Sequence, residues 1–373
     1  MSYPTKKITD LCDLERGTEP GSAFYIEASD KSIPFLRIGD LTGKVNAPKF
    51  VKNDNGNLRT INKNETLITF DGTPGIVVRG FKGAIASGIR VVRNIKPEVG
   101  EDFLFYYLQT QNVQKTIKAY SKGATIIHAS TSIPYIKIPL PSLKIQKQIV
   151  ERLDKIVEAQ KLNNDLIQKS DELFQSLLHK ELDPAGKNWE MKKLSEVGEI
   201  ITGTTPSTKN SDYWNGEFLW ATPTDIKENT FMLVDTPRKL SREGYKKTRP
   251  VPKNAILVTC IASIGKMALA GKEMATNQQI NSIVCNKGSD PFFVFFSLQK
   301  GKKKLINLGK TTAVPIINKS EFGRIKIPLP PIQTQKQIVV KLSAAQDYKT
   351  QLLTQKLKLK ELFNSVLSKS FRG

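Results

Sequence analysis

The chain contains the segment Ile136-Lys-Ile-Pro-Leu-Pro-Ser-Leu-Lys-Ile-Gln-Lys-Gln-Ile-Val150 and repeats it as Ile325-Lys-Ile-Pro-Leu-Pro-Pro-Ile-Gln-Thr-Gln-Lys-Gln-Ile-Val339. Eleven of these 15 positions are identical. The offset of 189 residues continues without a gap to residues 172–180 and 361–369. Upstream, Gly17 corresponds to Gly203 at nearly the same spacing. Self-similarity at a constant offset indicates two tandem copies, each with a divergent globular part and a closely repeated tail.

Both tails have apolar residues at heptad spacing, which is typical of a helix that packs along one seam. The predicted seam residues are Ile149, Leu153, Ile156, Ile167, Phe174 and Leu177 in the first tail, and Ile338, Leu342, Ala345, Leu352, Leu359, Phe363 and Val366 in the second. Ser142 and Pro331 suit helix starts, and the Pro and Gly of residues 183–186 end the first helix. Each helix would be about 60 Å long. We predict that the two helices pack as an antiparallel coiled coil.

The globular parts combine strand-like and helix-like patterns. Residues 66–70 and 255–259 favour strands, and residues 103–118 favour a helix. The predicted fold class is therefore α+β, with two mixed α/β domains in a tandem pseudo-repeat, separated and joined by two long helices. The predicted divisions are residues 1–141, 142–182, 183–330 and 331–373 for the first domain, the central helix, the linker with the second domain, and the C-terminal helix.

Basic residues exceed acidic residues by 22, and the sequence pI is about 9.7. Residues 1–141 carry 19 basic and 13 acidic side chains, and residues 183–330 carry 23 and 13. A basic excess in globular parts favours nucleic acid as the partner over a membrane-surface helix.

No apolar run approaches the ~20 residues that cross a bilayer, and the polar N-terminus does not resemble a secretion signal. Cys12, Cys260 and Cys285 have neither paired nor metal-binding spacing. These features lead us to expect a cytoplasmic protein without a metal site.

No catalytic motif is evident in the sequence. His128 and His179 are the only histidines, and neither lies in a known catalytic motif. Gly309-Lys310-Thr311 lacks the earlier glycine of a phosphate-binding loop, because Lys304 stands there. The Asn-Pro-Pro-aromatic and Asp-Pro-Pro-aromatic signatures of base-modifying methyltransferases are also missing. We therefore expect a binding protein with no catalytic residues.

The chain resembles the specificity subunit of type I restriction-modification systems over essentially its whole length. The two repeated Ile-Pro-Leu-Pro and Gln-Lys-Gln-Ile-Val segments and the two long helices carry this resemblance. Further matching motifs are Asn188-Trp-Glu190, Lys193-Leu-Ser-Glu-Val-Gly198, Thr202-Gly-Thr-Thr-Pro-Ser207, Asp212-Tyr-Trp-Asn-Gly216 and Ser263-Ile-Gly-Lys266. The first domain has Arg16-Gly-Thr-Glu-Pro20 and Asp71-Gly-Thr-Pro-Gly75 where the second has fuller motifs.

The resemblance implies two target-recognition domains that each read half of a split double-stranded DNA site, with the paired helices setting the gap. It also implies docking of two modification (methyltransferase) subunits that bring S-adenosylmethionine. Restriction subunits, if present, would use ATP and Mg²⁺. These cofactors would belong to the partner subunits, and none is expected in this chain.

Basic and polar side chains in both domains are candidates for DNA contact. They are Arg16, Arg37, Arg59, Arg79 and Lys122 in the first domain, and Thr204, Thr205, Ser207, Lys209, Lys246, Lys247, Arg249, Lys266, Lys310, Thr311 and Thr312 in the second. We interpret His128 as structural, Trp214 and Trp220 as packing residues, and the amides of residues 277–281 as satisfying local backbone.

The repeated segments have a different candidate role, because two copies of one partner require two identical docking sites. The candidate docking residues are Pro139, Leu140, Pro141, Gln146 and Gln148, with Pro328, Leu329, Pro330, Gln335 and Gln337. A rigid strand-to-helix joint built twice is the alternative explanation for the prolines.

Two other functions remain open from the sequence. One is a stand-alone DNA-modifying or DNA-cleaving enzyme of unrecognised type, which would act without partners. The other is a bivalent architectural or regulatory DNA-binding protein, which would have no methyltransferase companion.

Overall fold

The structure is a computed structural model that describes residues 3–21, 24–44, 47–52, 57–124, 127–228, 230–309 and 315–371. The chain forms two compact units. The first comprises Met1–Asn164 and Thr354–Gly373, and the second comprises Asp165–Leu353. Each unit therefore includes residues from both long helices.

The first unit is built mainly from short strands. Its strands are β1 Thr5–Lys7, β2 Asp13–Arg16, β3 Tyr25–Ile26, β4 Ser32–Leu36, β5 Lys49–Lys52, β6 Thr60–Ile61, β7 Leu67–Thr69, β8 Asp71–Gly72, β9 Val77–Val78, β10 Gly83–Ile85, β11 Ile89–Arg93, β12 Ile127–His128 and β13 Lys137–Pro139. They form sheets in the orders β1-β13, β3-β5-β4-β10-β6, β2-β11-β7-β9 and β12-β8.

Five α-helices begin among the described residues of the first unit. They are α1 Ile8–Leu11, α2 Ile38–Leu41, α3 Glu101–Leu108, α4 Gln111–Ala119 and α5 Leu143–Glu181. The single helix predicted over residues 103–118 is divided into α3 and α4, because Thr110 has an extended backbone and begins a new helix. The buried side chains of α3 belong to the same core as Ile68 of β7 and as Ile149 and Leu153 of α5.

The second unit repeats this plan with longer strands. Its strands are β14 Glu190–Lys193, β15 Gly198–Thr202, β16 Trp214–Ala221, β17 Met232–Leu233, β18 Lys239–Leu240, β19 Ile256–Thr259, β20 Met267–Ala270, β21 Ala275–Thr276, β22 Ile280–Cys285 and β23 Lys326–Leu329. The sheet orders are β14-β23, β15-β22-β19-β20-β17 and β18-β16-β21. The helices that begin here are α6 Leu194–Val197, α7 Arg242–Tyr245, α8 Pro291–Lys300, α9 Lys302–Leu308, α10 Lys319–Arg324 and α11 Ile332–Ser370.

The long helices α5 and α11 each contain 39 residues. The predicted heptad seam is buried at Ile149, Leu153, Ile156, Phe174, Ile338, Leu342 and Leu352. Toward the helix ends, Leu178 and Leu367 are buried, whereas the predicted Leu177 and Val366 are half-buried. In the first unit, Gln160 Nε2 donates to the Leu359 carbonyl at 3.2 Å. In the second, Lys349 pairs with Asp171 at 2.5 Å and Lys341 with Glu181 at 3.0 Å. As the α5 number rises, the α11 number falls, so the two helices run antiparallel within each unit, as predicted.

The core of each unit includes the C-terminal end of a long helix that belongs, in sequence, to the other repeat. In the first unit, Phe371 from the second repeat contacts Phe103 and Tyr107, with ring centres 5.0 and 5.1 Å apart. In the second unit, Phe174 from the first repeat contacts Phe296 at 6.0 Å. The cores are therefore completed by an exchange of helix ends between the repeats.

Candidate nucleic-acid interface

In the second unit, a polar loop follows β15 and packs against the turn between β21 and β22. Gly203 donates its N–H to the Ile280 carbonyl at 3.1 Å, and Thr204 donates its N–H to the Thr276 carbonyl at 2.8 Å. A Cβ atom on Gly203 would lie 2.2 Å from the Asn277 carbonyl oxygen. Only glycine permits this close approach. We call residues 203–207 the glycine loop of the second unit.

Two tryptophans hold this glycine loop. Trp220 Nε1 donates to the Thr204 carbonyl at 3.1 Å, and Trp214 Nε1 donates to the Ser207 carbonyl at 3.2 Å. The Arg238 guanidinium lies 4.0 Å from the Trp214 ring centre and 4.9 Å from that of Trp220. The sequence did not identify Arg238 as a residue of this site, because its stacking on the tryptophans depends on the pairing of strands β16 and β18.

The polar side chains around this loop fall into two groups. Thr205 Oγ1 donates to Gln278 Oε1 on the facing turn, and Ser207 and Gln278 are exposed. Asn277 is buried and bonds within its own turn, accepting the Gln279 N–H at 3.1 Å. Asn281 is also buried and accepts the Thr202 hydroxyl at 2.7 Å. Thr205, Ser207 and Gln278 are therefore accessible to solvent at or beside the loop, whereas Asn277 and Asn281 bond internally.

The first unit has the same backbone frame with different side chains. Gly17 and Thr18 donate their N–H groups to the carbonyls of Ile89 and Ile85 at 2.9 and 3.0 Å. A Cβ on Gly17 would lie 2.2 Å from the Ala86 carbonyl oxygen. We call residues 17–20 the glycine loop of the first unit. In this loop the Glu19 carboxylate accepts hydrogen bonds from both the N–H and the hydroxyl of Ser87, at 2.9 and 2.8 Å. The second unit has the bond between Thr205 and Gln278 at the equivalent positions.

A second loop is also shared. Gly72 and Gly75 have φ of +73° and +92°, and the corresponding Ala262 and Gly265 have +60° and +87°. The hydroxyls of Thr69 and Thr259 close the two loops by donating to the carbonyls four residues ahead. Lys266 follows the second of these loops and is half-buried.

Three of the candidate arginines in the first unit are occupied by neighbours. Arg37 pairs with Asp40 at 3.0 Å, and Arg59 pairs with Glu15 at 2.8 Å. Arg79 pairs with Asp102 and Glu101 and lies over the Phe105 ring. These ion pairs reduce the net charge offered to a polyanion. Lys122 and Arg16 are exposed, and both lie near β12.

The candidate cations of the second unit are mostly exposed. Lys209, Lys247 and Arg249 are exposed and form no ion pair with any residue that the structure describes. Lys246 pairs with Glu243 at 2.8 Å, and its side chain stays largely exposed. Lys310, Thr311 and Thr312 lie outside the described residues.

The repeated segments place their residues at the joint between a strand and a long helix. Pro139, Pro141 and Pro330 are buried, and Leu140, Pro328 and Leu329 are half-buried. Gln148 and Gln337 are exposed on the second turns of α5 and α11. The residues that are identical in the two repeated segments thus include both buried and exposed side chains.

Gln146 and Gln335 have an internal role, which differs from the predicted docking role. Their exposed fractions are 2% and 0%. Gln146 accepts the Gly100 N–H at 2.7 Å and donates to the Glu98 and Pro141 carbonyls. Gln335 accepts the Asp290 N–H at 2.8 Å and donates to the Gly288 and Pro330 carbonyls. A partner cannot reach these amides, so their repetition reflects the same joint built twice.

Among the described residues, no group of three or more His, Cys, Asp or Glu side chains is placed to bind a metal ion. Within the same part of the chain, no helix is long and apolar enough to span a membrane. Burial raises the pKa of the thiols of Cys12 and Cys285 to about 12 and that of Cys260 to about 11. These thiols are therefore protonated near neutral pH and are poor nucleophiles.

Comparison with known proteins gives matches in both repeats. The family model described as type I restriction modification DNA specificity domain matches residues 2–169 and again residues 186–361. The MjaIX specificity subunit of Methanocaldococcus jannaschii is 29% identical over 192 residues, which are 50% of this chain and 44% of that protein. The MjaVIII specificity subunit of the same organism is 25% identical over 371 residues, covering 91% of this chain and 84% of that protein.

The crystal structure of a type I restriction-modification S subunit from M. genitalium has the same fold. It aligns with a TM-score of 0.64 at 17% identity and covers 100% of this chain and 97% of the other. The predicted tandem architecture is thus confirmed. Because the family model matches both halves, the chain belongs to the family of type I restriction-modification DNA specificity domains and carries two copies of that domain.

Proposed function

We propose that this chain is the specificity subunit of a type I restriction-modification complex, reads a two-part double-stranded DNA site and performs no covalent chemistry itself. The observation that carries this proposal is the double family match, with each domain followed by a 39-residue helix. One unit would read each half of the site. A duplicated chain with unlike globular parts suits a site whose halves differ in sequence.

Electrostatics supports DNA as the ligand. The formal net charge is +22, and lysines such as Lys209 and Lys247 are exposed without an ion pair to a described residue. Cations of this kind neutralise phosphates and release counterions, which gives affinity without sequence preference. Lys246 and Arg249 lie beside Lys247 in the sequence and extend the same basic segment.

The two glycine loops support sequence reading. Their backbone is held in the same way in both units, while the side chains on it differ: Thr205, Ser207 and Gln278 in one, Glu19 and Ser87 in the other. A fixed backbone with variable polar side chains is what reading of base edges requires, because hydrogen bonds to bases need well-placed donors and acceptors.

The remaining assignments concern the partners and the gap. The exposed Gln148 and Gln337 and the half-buried Leu140 and Leu329 would belong to two matching docking surfaces for two modification subunits. S-adenosylmethionine would belong to those subunits, and ATP and Mg²⁺ to restriction subunits. The length of α5 and α11 would set the number of unread base pairs between the half-sites.

Methylation mapping tests the proposal. We expect deletion of this chain from its source cell to abolish adenine methylation at one split motif, and reintroduction to restore it. The purified chain, incubated alone with S-adenosylmethionine, Mg²⁺ and DNA, should neither methylate nor cleave. An unchanged methylation map after deletion, or turnover by the chain alone, would contradict the proposal.

A further inference from the structure

The first unit contains a charged cluster between β8, β11 and β12. Asp71, with a side chain only 12% exposed, accepts from His128 Nδ1 at 2.9 Å and forms an ion pair with Arg16 Nη2 at 3.8 Å. The Arg16 and His128 side chains are 61% and 63% exposed. One buried carboxylate thus anchors two exposed side chains that come from distant parts of the sequence.

Arg16 is held along one edge of its guanidinium group. Its Nε donates to the Ser87 carbonyl at 3.0 Å, and its Nη2 faces Asp71. The Nη1 group and the second hydrogen of Nη2 make no bond to a described residue. These N–H groups form the outer edge of the planar fork, which matches a pair of neighbouring acceptors.

A second arginine lies behind the first. Arg90 is 6% exposed and donates to the same Ser87 carbonyl at 2.8 Å and to Ser130 Oγ at 3.0 Å. Burial and the nearby Arg16 charge lower the pKa of Arg90. Two guanidinium groups against one carboxylate leave the cluster with excess positive charge, which favours a ligand rich in hydrogen-bond acceptors.

The second unit has the same four backbone positions with uncharged side chains. Arg16 pairs with Arg90 across β2 and β11, and Thr202 pairs with Asn281 across β15 and β22. Asp71 pairs with His128, and Ile261 pairs with Ile316. In the second unit, Thr202 and Asn281 satisfy each other at 2.7 Å, and the other two positions are apolar. The shared frame therefore carries charged donors only in the first unit.

We propose that Arg16 reads a guanine in the half-site of the first unit by donating two hydrogen bonds to its O6 and N7, with Asp71 and His128 as positioning residues. This inference rests on the proposed function. Arginine pairs bidentately with the two acceptors that guanine presents in the major groove. The uncharged side chains at the four equivalent positions of the second unit cannot make this charged bidentate contact.

The test replaces the chain in its source cell with the Arg16→Lys variant and maps methylated adenines. Lysine keeps the charge but loses the fork. We expect discrimination for the G·C pair at one position of one half-site to fall about 10- to 100-fold, with the other half-site unchanged. Asp71→Asn should relax preference at that same position, because it loosens Arg16 without removing it.

Arg152→Lys is the matched control, because Arg152 is exposed on α5 and the second repeat carries Lys341 at the equivalent place. An unchanged motif with Arg16→Lys would overturn the guanine assignment while leaving the proposed function intact. Weaker methylation of all sites with the motif retained would also overturn it, since that is the behaviour of a phosphate contact. Failure of the wild-type chain to direct any split motif would instead contradict the proposed function.

Discussion

At the residue scale, Gln146 and Gln335 explain why the repeated tails are so alike at their start. Each side chain joins the first turn of a long helix to the N-terminus of a short helix, α3 or α8, and to the loop before it. The groups that bond to these glutamines are buried backbone N–H and C=O groups. Water does not reach them, so they need hydrogen-bond partners within the protein. A glutamine can donate and accept at once, so it satisfies both kinds of group.

We expect Gln146→Ala and Gln335→Ala each to lower the free energy of unfolding by about 2 kcal/mol or more, because buried backbone groups lose their partners. Chemical denaturation of the full chain measures this change. Gln148→Ala and Gln337→Ala serve as controls two residues away and should change stability by about 0.5 kcal/mol or less, since both side chains are exposed. Equal losses for the exposed and buried pairs would refute the internal role.

At the element scale, α5 and α11 combine a regular seam with polar residues in it. Asn163 and Ser170 occupy buried seam positions in α5, where apolar residues would give more stability. Polar residues in such a seam fix the register of the helices. Adding or removing whole heptads in both helices together therefore changes their length and keeps the seam residues in register.

Duplicating residues 161–167 in α5 together with the facing residues 353–359 in α11 adds one heptad to each helix, or about 10 Å. We expect the gap between the half-sites to lengthen by up to about three base pairs, given a rise of about 3.4 Å per base pair. Methylation mapping reads the gap and both half-sites together. Altered base preferences with a constant gap would show that the helices do not set the spacing.

At the scale of the whole molecule, each unit is completed by residues from the other repeat. Phe363, Leu367 and Phe371 enter the core of the first unit, and their equivalents Phe174, Leu178 and Leu182 enter the core of the second. Neither repeat therefore contains all the residues of one core in its own sequence. Two of the three equivalent pairs are identical, and the third has Leu182 in one set and Phe371 in the other.

We expect residues 1–182, expressed alone, to form a homodimer in which each copy supplies its Phe174, Leu178 and Leu182 to the other. Burial of these large side chains drives the association. Analytical ultracentrifugation measures the mass. Residues 1–164 lack the exchanged part and should remain monomeric and less stable. A folded monomer of residues 1–182 would contradict the exchange.

The sequence by itself determined the duplication, the extent of both long helices, most of the heptad seam and the equivalence of Gly17 with Gly203, because these depend on local spacing and on identity at a constant offset. Tertiary structure alone decided the burial of Gln146 and Gln335, the pairing of Arg37, Arg59 and Arg79 with acidic neighbours, and the cluster of Arg16, Asp71 and His128. Contacts of that kind join residues far apart in the chain, and strand register and helix packing bring them together. The spacing of residues along the sequence does not reveal these contacts. The sequence alone therefore could not distinguish an arginine without an ion pair from one that pairs with an acidic neighbour.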